Sequence, residues 1–332
     1  MKIQLVGLGN VGKELCELIE EKGELLNSLG TNIVVVSISD SKGTVVAENG
    51  LKLKEVVNYK RLGWQGFSKY KSGYGALDAI RDVESDVVVE LTPSTPNGEP
   101  GLSLIEAALK RRKHVVTSNK GPLVVAYKNL VKLAEENNVK LLYEATVAAH
   151  LPVFCMLDSC FKADKLLAVR AILNATTNFI IGEMEAGKSF QKALNEAIGA
   201  GWAEAHYSDD VDGIDAARKV VILANALFEV DAKLEDVKIK GIQNIEAMIE
   251  EARGSNMKVK LIGEIVKEKC KLKMSVAPQL VSLDDLFATV SQGNMAAKFT
   301  FETSQEVFVT AQFRSPKQTA FAVLNDLTKV TL

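Results

Sequence analysis

The chain has 332 residues, of which 47% are apolar and 25% charged. That is a globular composition, long enough for about two domains and unlike a disordered or collagen-like chain. Forty basic and forty-two acidic side chains leave a net charge of −2, so no field of one sign favours nucleic acid or a membrane surface. No apolar run approaches the roughly 18 residues of a membrane span. The opening MKIQLVGLGNVG reads as a buried strand entering a glycine-rich turn rather than a signal peptide, and a cytoplasmic protein is expected. Cys16, Cys155, Cys160 and Cys270 are scattered without a CxxC pair, which predicts neither a disulfide framework nor a zinc site.

Lys2–Val6 reads as a strand, and Val11, Leu15, Leu18 and Ile19 place an apolar stripe on the helix after Asn10. Ile33–Ser39 (IVVVSIS) and Asp86–Leu91 (DVVVEL) are β-branched runs of the kind covered on both faces in a parallel sheet. The breaker-rich stretch Thr92–Pro100 follows, then a helix (Ser103–Lys110), a strand (His114–Thr117), a helix (Val124–Asn137) and a strand (Lys140–Tyr143). Strands alternating with helices predict an α/β, Rossmann-like, doubly wound parallel sheet. After about residue 150 the texture changes. Pro152–Phe161 reads as a helix, Leu167–Leu173 as an apolar strand, and 187–198 and 212–228 as helices. Lys258–Val266, Lys271–Val276, Ala297–Glu302 and Val307–Phe313 alternate as in an open mixed sheet with one covered face, and Thr319–Leu327 closes the chain as a helix. The expected division is a first domain over 1–144, rejoined by about 306–332, and a second α+β domain over 145–305.

Gly7-Leu8-Gly9-Asn10-Val11-Gly12 fits G-x-G-x-x-G directly between a strand and an amphipathic helix. In that motif the first glycine permits the tight turn, the second admits a pyrophosphate to the backbone, and the third lets helix and strand pack closely. The free amides and positive end of the helix then face the phosphates, which makes the first domain a dinucleotide-binding one. Asp40 ends the second strand, where an acid accepts from the adenosine ribose hydroxyls and favours NAD. Ser41 and Lys42 follow at once, and both suit a 2′-phosphate, so at this point NAD and NADP both remain open.

Two lysines stand out. Lys120, in TSNKGP, lies at the carboxyl end of a parallel strand, the edge at which open α/β sheets bind ligands. Position alone leaves it either a ligand contact or a solvated surface lysine. Asp215 and Lys219 are i and i+4 on one helix face, and a surface ion pair is the simplest reading. Yet Lys219 leads into VVILANALF, too apolar to be freely exposed. A lysine at the mouth of a buried helix, with carboxylates nearby, is a candidate acid/base.

The segments TSNKGPL (Thr117–Leu123), EATVAAHLP (Glu144–Pro152), ILNATTNFI (Ile172–Ile180) and GWAEAHYSDDVDGIDAARK (Gly201–Lys219) resemble, in order, the signatures of homoserine dehydrogenases. With the glycine loop, the resemblance spans most of residues 1–230. It implies NAD(P)-dependent interconversion of L-homoserine and L-aspartate 4-semialdehyde, in the pathway to threonine and methionine. It further implies that Lys219 is the acid/base for the substrate hydroxyl and that Lys120, between nicotinamide and substrate, assists proton transfer. Glu204 and Asp215 would orient the amino-acid end and the lysine, with Asp210 a weaker candidate. Thr176 would touch substrate, Thr92-Pro93 the nicotinamide ribose region, and Ser118 the cofactor. Glu144 with the carbonyls of Val147, Ala149 and Leu151 resembles the family's structural monovalent-cation site, usually read as sodium.

The departures from the family pattern are Ala175 and His150 for glycines, His206-Tyr207 for Asp-Pro, and the loss of a glycine-rich loop before the final Thr-Ala helix start. That loop approaches the cofactor in the family, so cofactor selectivity is the property most affected. Asp40 stands nearer the expected ribose than the tip of Lys42, and NAD is expected to serve at least as well as NADP. Neither a fused kinase domain nor a carboxy-terminal regulatory domain is expected, hence no threonine feedback through one. A homodimer through the second sheet is expected. Two rival functions are a phosphorylating semialdehyde dehydrogenase, for which Cys155 is a poor nucleophile, and a catalytically silent NAD(H)-binding sensor.

Overall fold

The β-branched runs of the first half form the centre of a seven-stranded sheet. The computed structural model describes residues 1–200, 207–269 and 271–330, and the chain divides into two units, Met1–His150 with Ser315–Leu332, and Leu151–Arg314. In the first unit β1 (Lys2–Val6), β2 (Val34–Ser39), β3 (Gly43–Val46), β4 (Tyr70–Ser72), β5 (Val87–Glu90), β6 (His114–Thr117) and β7 (Leu141–Leu142) stand in the order β4-β3-β2-β1-β5-β6-β7. Strands β2, β1, β5, β6 and β7 are mutually parallel, whereas β3 and β4 extend the edge antiparallel. Val87, Val88 and Val89 have no exposed surface, as befits a strand with helices over both faces. Those helices are α1 (Asn10–Glu21), α2 (Gly23–Ser28), α3 (Leu53–Arg61), α4 (Ala76–Asp82), α5 (Gly101–Lys110) and α6 (Lys120–Glu136). Helix α6 is interrupted at Ala126 (φ −142°, ψ 24°). Strand order reverses about β1, between β2 and β5, so ligands are expected outside the carboxyl ends of these strands.

The second unit carries β8 (Leu166–Ile172), β9 (Val237–Ile239), β10 (Met257–Glu268), β11 (Lys271–Ser282), β12 (Met295–Phe301) and β13 (Glu306–Ala311). Their order is β13-β12-β8-β10-β11-β9, antiparallel except for the parallel pair of β11 and β9. This is the open mixed sheet read from the alternating segments. With it go α7 (Phe154–Cys160), α8 (Ala175–Glu185), α9 (Phe190–Gly199), α10 (Ser208–Val211), α11 (Ile214–Phe228) and α12 (Glu246–Gly254).

The chain then returns to the first unit as α13 (Pro316–Val330), whose Val323, Leu324 and Leu327 join a core with Ile3, Leu5, Leu15 and Leu18. The return begins at Ser315, later than the 306 read from the sequence. The cause is β13, which pairs along β12 from Glu306 to Ala311 and so belongs to the second sheet. Likewise Glu144–His150 stays with the first unit. Among the described residues no helix is long and apolar enough to cross a membrane.

Candidate functional site

The glycine loop behaves as its three positions require. Gly7 has φ +99°, and a Cβ there would lie 2.5 Å from the Leu91 carbonyl oxygen. At Gly12 a Cβ would lie 2.3 Å from the Gly7 carbonyl oxygen, whereas at Gly9 it would meet nothing within 4 Å. Turn and packing therefore exclude side chains at the two ends of the motif, while its middle faces open space. Gly9 caps α1 without a side-chain hydrogen bond, leaving the first turn at Asn10, Val11 and Gly12 with its positive end toward that space. These residues fit a dinucleotide pyrophosphate.

Two neighbouring loops at the same strand ends are joined by a buried carboxylate. Glu90 closes β5 with no exposed surface. It accepts from the backbone N–H of Thr92 (2.8 Å), the Thr92 hydroxyl, the Thr117 hydroxyl (2.9 Å) and the Asn119 amide (3.4 Å). Burial pushes its carboxyl pKa up, against these hydrogen bonds. Asn119 caps α6 by accepting from the Gly121 N–H (3.0 Å). Lys120 is therefore the first helical residue, with Ser118 just before the cap and Thr92-Pro93 on the adjoining loop. Sequence reading found Thr92, Pro93, Ser118 and Lys120 but passed over Glu90 and Asn119, although a carboxylate ending DVVVEL is itself a signal.

Asp40 requires a correction. Its side chain is 5% exposed. Oδ1 accepts from the N–H groups of Lys42 (2.9 Å) and Gly43 (3.1 Å) and from the Tyr70 hydroxyl (3.2 Å). Oδ2 accepts from the Trp64 indole (2.8 Å) and the Lys60 ammonium. Burial alone would raise this carboxyl, but Lys60, the Lys42 N–H and Trp64 hold it at about 2. Five donors exceed the roughly four lone-pair sites of a carboxylate. Asp40 is thus turned inward and saturated, not poised to accept from a ribose as the sequence reading expected. Ser41 and Lys42, both exposed, are the accessible groups at this strand end.

The second unit gathers the other set. Lys219 on α11 donates to Asp215 Oδ2 at 2.7 Å and to the Leu173 carbonyl at 2.6 Å. Both side chains are nearly buried, at 12% and 13% exposed. The Asn174 amide donates to Asp210 Oδ1 (2.6 Å) and Asp215 Oδ2 (2.9 Å), while its oxygen caps α8 by accepting from the Thr177 N–H (2.8 Å). One asparagine thus ties the start of α8, where Thr176 is 6% exposed, to acids on α10 and α11. The sequence reading brought Asp215 to Lys219 but missed Asn174, which only the fold places between them. Glu204 and His206 lie outside the described residues.

Glu144 is 6% exposed, and its Oε2 lies 3.7 Å from the Lys329 ammonium. Its N–H donates to buried Asp326, which Lys329 also binds at 2.7 Å. Burial pushes the Asp326 carboxyl up despite that lysine. Ala148 and Ala149 take left-handed conformations (φ 56° and 53°), which re-aim the carbonyls after Val147. Leu151 belongs to the second unit. Among the described residues no cluster of three or more His, Cys, Asp or Glu side chains could hold a metal ion. The His150 Nδ1 is buried without a hydrogen-bond partner, and burial lowers the ring's pKa.

Comparison with known proteins matches residues 7–144 to the homoserine dehydrogenase NAD-binding domain and residues 152–328 to the homoserine dehydrogenase domain. A homoserine dehydrogenase of Methanocaldococcus jannaschii is 36% identical over 98% of this chain and 97% of its own. An NAD(+)-dependent homoserine dehydrogenase of Pseudomonas canavaninivorans is 35% identical over 98% and 95%. A solved hyperthermophilic archaeal homoserine dehydrogenase in complex with NADPH superposes with a TM-score of 0.85 at 28% identity, covering 99% of this chain and 97% of that one.

Proposed function

The chain belongs to the homoserine dehydrogenase family of NAD(P)-dependent oxidoreductases acting on a CH–OH group, and on that premise we propose how its own residues divide the work. The observation that carries the proposal is the Lys219–Asp215–Asn174 cluster. Oxidising L-homoserine to L-aspartate 4-semialdehyde removes a hydride from the alcohol carbon and the proton from its hydroxyl. NAD or NADP, when bound, accepts the hydride. Lys219, in its neutral form, takes the hydroxyl proton, and in the reverse direction its ammonium returns it. Asp215 and the Leu173 carbonyl fix the Nζ, and Asn174 fixes Asp215 in turn. Thr176, Asp210 and Glu204 bind the substrate's polar groups, Asp215 contributing beside its lysine. Lys120, at the start of α6, assists proton transfer and holds substrate.

On the cofactor side, Gly7, Gly9, Asn10, Val11 and Gly12 cradle the pyrophosphate, and Thr92, Pro93, Ser118 and Lys120 hold the nicotinamide end. Asp40, Ser41 and Lys42 set the choice at the adenosine ribose. NAD serves at least as well as NADP, by a different route from the one first read. Asp40 sequesters the Lys60 ammonium, a charge that would otherwise attract a 2′-phosphate. The reaction serves threonine and methionine biosynthesis in the cytoplasm, in a homodimer. A sodium ion at Glu144, Val147, Ala149 and Leu151 would share the Glu144 carboxylate with the Lys329 ammonium.

The test is homoserine-dependent reduction of NAD and NADP, run side by side. Turnover is expected with both, with NAD at least as efficient. A chain that binds either cofactor without turnover is instead a sensor, and one that requires phosphate is the other dehydrogenase.

A further inference from the structure

We propose that Glu90 is a positioning residue for the reaction: its buried carboxylate locks the loop carrying Thr92-Pro93 to the loop carrying Asn119-Lys120. The proposal rests on the cofactor-edge reading of those loops. Glu90 stands at the carboxyl end of β5, the strand beside β1 at the reversal of strand order. It has no exposed surface, and among the described residues no Lys, Arg or His pairs with it. An isolated carboxylate in such a place is costly unless its oxygens are fully hydrogen-bonded. Thr92 donates twice to Oε1, once from its backbone and once from its hydroxyl. Thr117 donates to Oε2. The Asn119 amide bridges Glu90 Oε1 and the Thr92 hydroxyl at 3.4 and 3.2 Å.

Every partner lies on one of the two loops or at the end of β6, and every one presents a hydrogen. Two helices start against the same group. A Cβ built on Gly101, the first residue of α5, would lie 3.3 Å from Glu90 Oε2 and 2.5 Å from the Asn119 amide. Asn119 is itself the cap of α6. The starts of α5 and α6 thus lie beside the carboxylate, the ends of helices at which negative charge is favoured. Removing the carboxylate releases Thr92 and Asn119 together, and with them the start of α6 at Lys120. A carboxylate that served only the core would need no partners on both ligand-edge loops.

The test compares Glu90→Gln, Glu90→Ala and Thr92→Val with the wild type. Cofactor Kd is read by calorimetric titration with NAD below each variant's Tm, and steady-state kinetics give kcat and both KM values. Glutamine keeps one oxygen for Thr92, so the expected order of cofactor affinity is wild type, Gln, Ala. Glu90→Ala should weaken NAD at least tenfold and lower kcat, with the homoserine KM rising by less than the NAD Kd, since of the substrate-holding residues only Lys120 is released. Thr92→Val, which removes only one hydroxyl, should weaken NAD less than Glu90→Ala, and it reads the same linkage if Glu90→Ala fails to fold. Glu90→Gln and Thr92→Val both leaving NAD affinity and kcat within twofold of wild type would overturn the proposal. So would losses that follow only the unfolded fraction. A wild type that binds NAD without turnover sinks the dehydrogenase reading while leaving the Kd order intact as a test.

Discussion

Replacing Asp40 with asparagine isolates one buried charge without changing its shape. Oδ1 can go on accepting from the Lys42 and Gly43 N–H groups and from Tyr70, but an NH2 now faces the Trp64 indole and Lys60. Lys60 is 28% exposed and turns to water at small cost. Trp64 is 8% exposed, and its N–H loses its acceptor, which costs about 1–3 kcal/mol. Linkage gives a second route to the same quantity. A carboxyl held at about 2 in the folded chain, against about 3.9 unfolded, contributes about 2–3 kcal/mol at neutral pH. Both values come from the same contacts, those of Asp40 with Trp64, Lys60 and the Lys42 N–H. Because the folded pKa is depressed, this stability is fully present above about pH 4 and is lost as pH falls toward 2. Urea unfolding of wild type and Asp40→Asn should therefore differ by about 2–3 kcal/mol at pH 7, with similar m values, and the gap should narrow below pH 4. In the same variant the released ammonium should move the ratio of catalytic efficiencies toward NADP by about tenfold, near 1.4 kcal/mol. A gap under about 0.5 kcal/mol at pH 7 would show that Asp40 is not held as described. An unchanged cofactor ratio would remove the Asp40–Lys60 pair from selectivity.

Asn174→Ala removes both the cap of α8 and the tie to Asp210 and Asp215. It should cost about 1 kcal/mol of stability but more than tenfold in kcat, and a kcat loss no larger than the stability loss explains would reduce Asn174 to a cap. Asp215→Asn and Lys219→Ala should be non-additive in kcat, since they act as one unit; simple additivity would separate them. Lys260, 2% exposed on β10 and donating to Asn178 and the Val290 carbonyl, is pushed down by burial to about 8. Its unfolded form binds more protons between about pH 8 and 10.4, so this residue makes stability rise with pH across that window. Lys260→Met should lack that increment, and identical pH profiles for the two proteins would refute the burial of the charge.

The parts of this molecule that were legible in the sequence are those whose partners are close in the chain or whose pattern is strong. Gly7 to Gly12 announces the turn, the packed helix start and the open middle of the motif because all three depend on local backbone. The runs IVVVSIS and DVVVEL announce parallel strands because both faces are covered. Residues 43–85 gave no reading: β4 is three residues, mostly exposed, and exists only because β3 supplies its ladder. Asp40 was read for its strand-end position, but its fate is decided by Lys60, Trp64 and Tyr70, which are 20 to 30 residues away and reach it only after folding. Asn174 was hidden for the same reason, since its two acids lie 36 and 41 residues further on. The late return of the chain at Ser315 turns on the pairing of β13, and alternation along a strand does not say which sheet will take it.

Lys219, as the group that moves the hydroxyl proton, is the centre of the proposed chemistry. The measurement is kcat for homoserine oxidation by Lys219→Ala against wild type, with NAD affinity measured by titration on the same preparations. A fall in kcat of roughly two to four orders of magnitude, the range for one acid/base group, with NAD affinity unchanged, is the predicted result. A variant that turns over homoserine at close to the wild-type rate while binding NAD normally would contradict it.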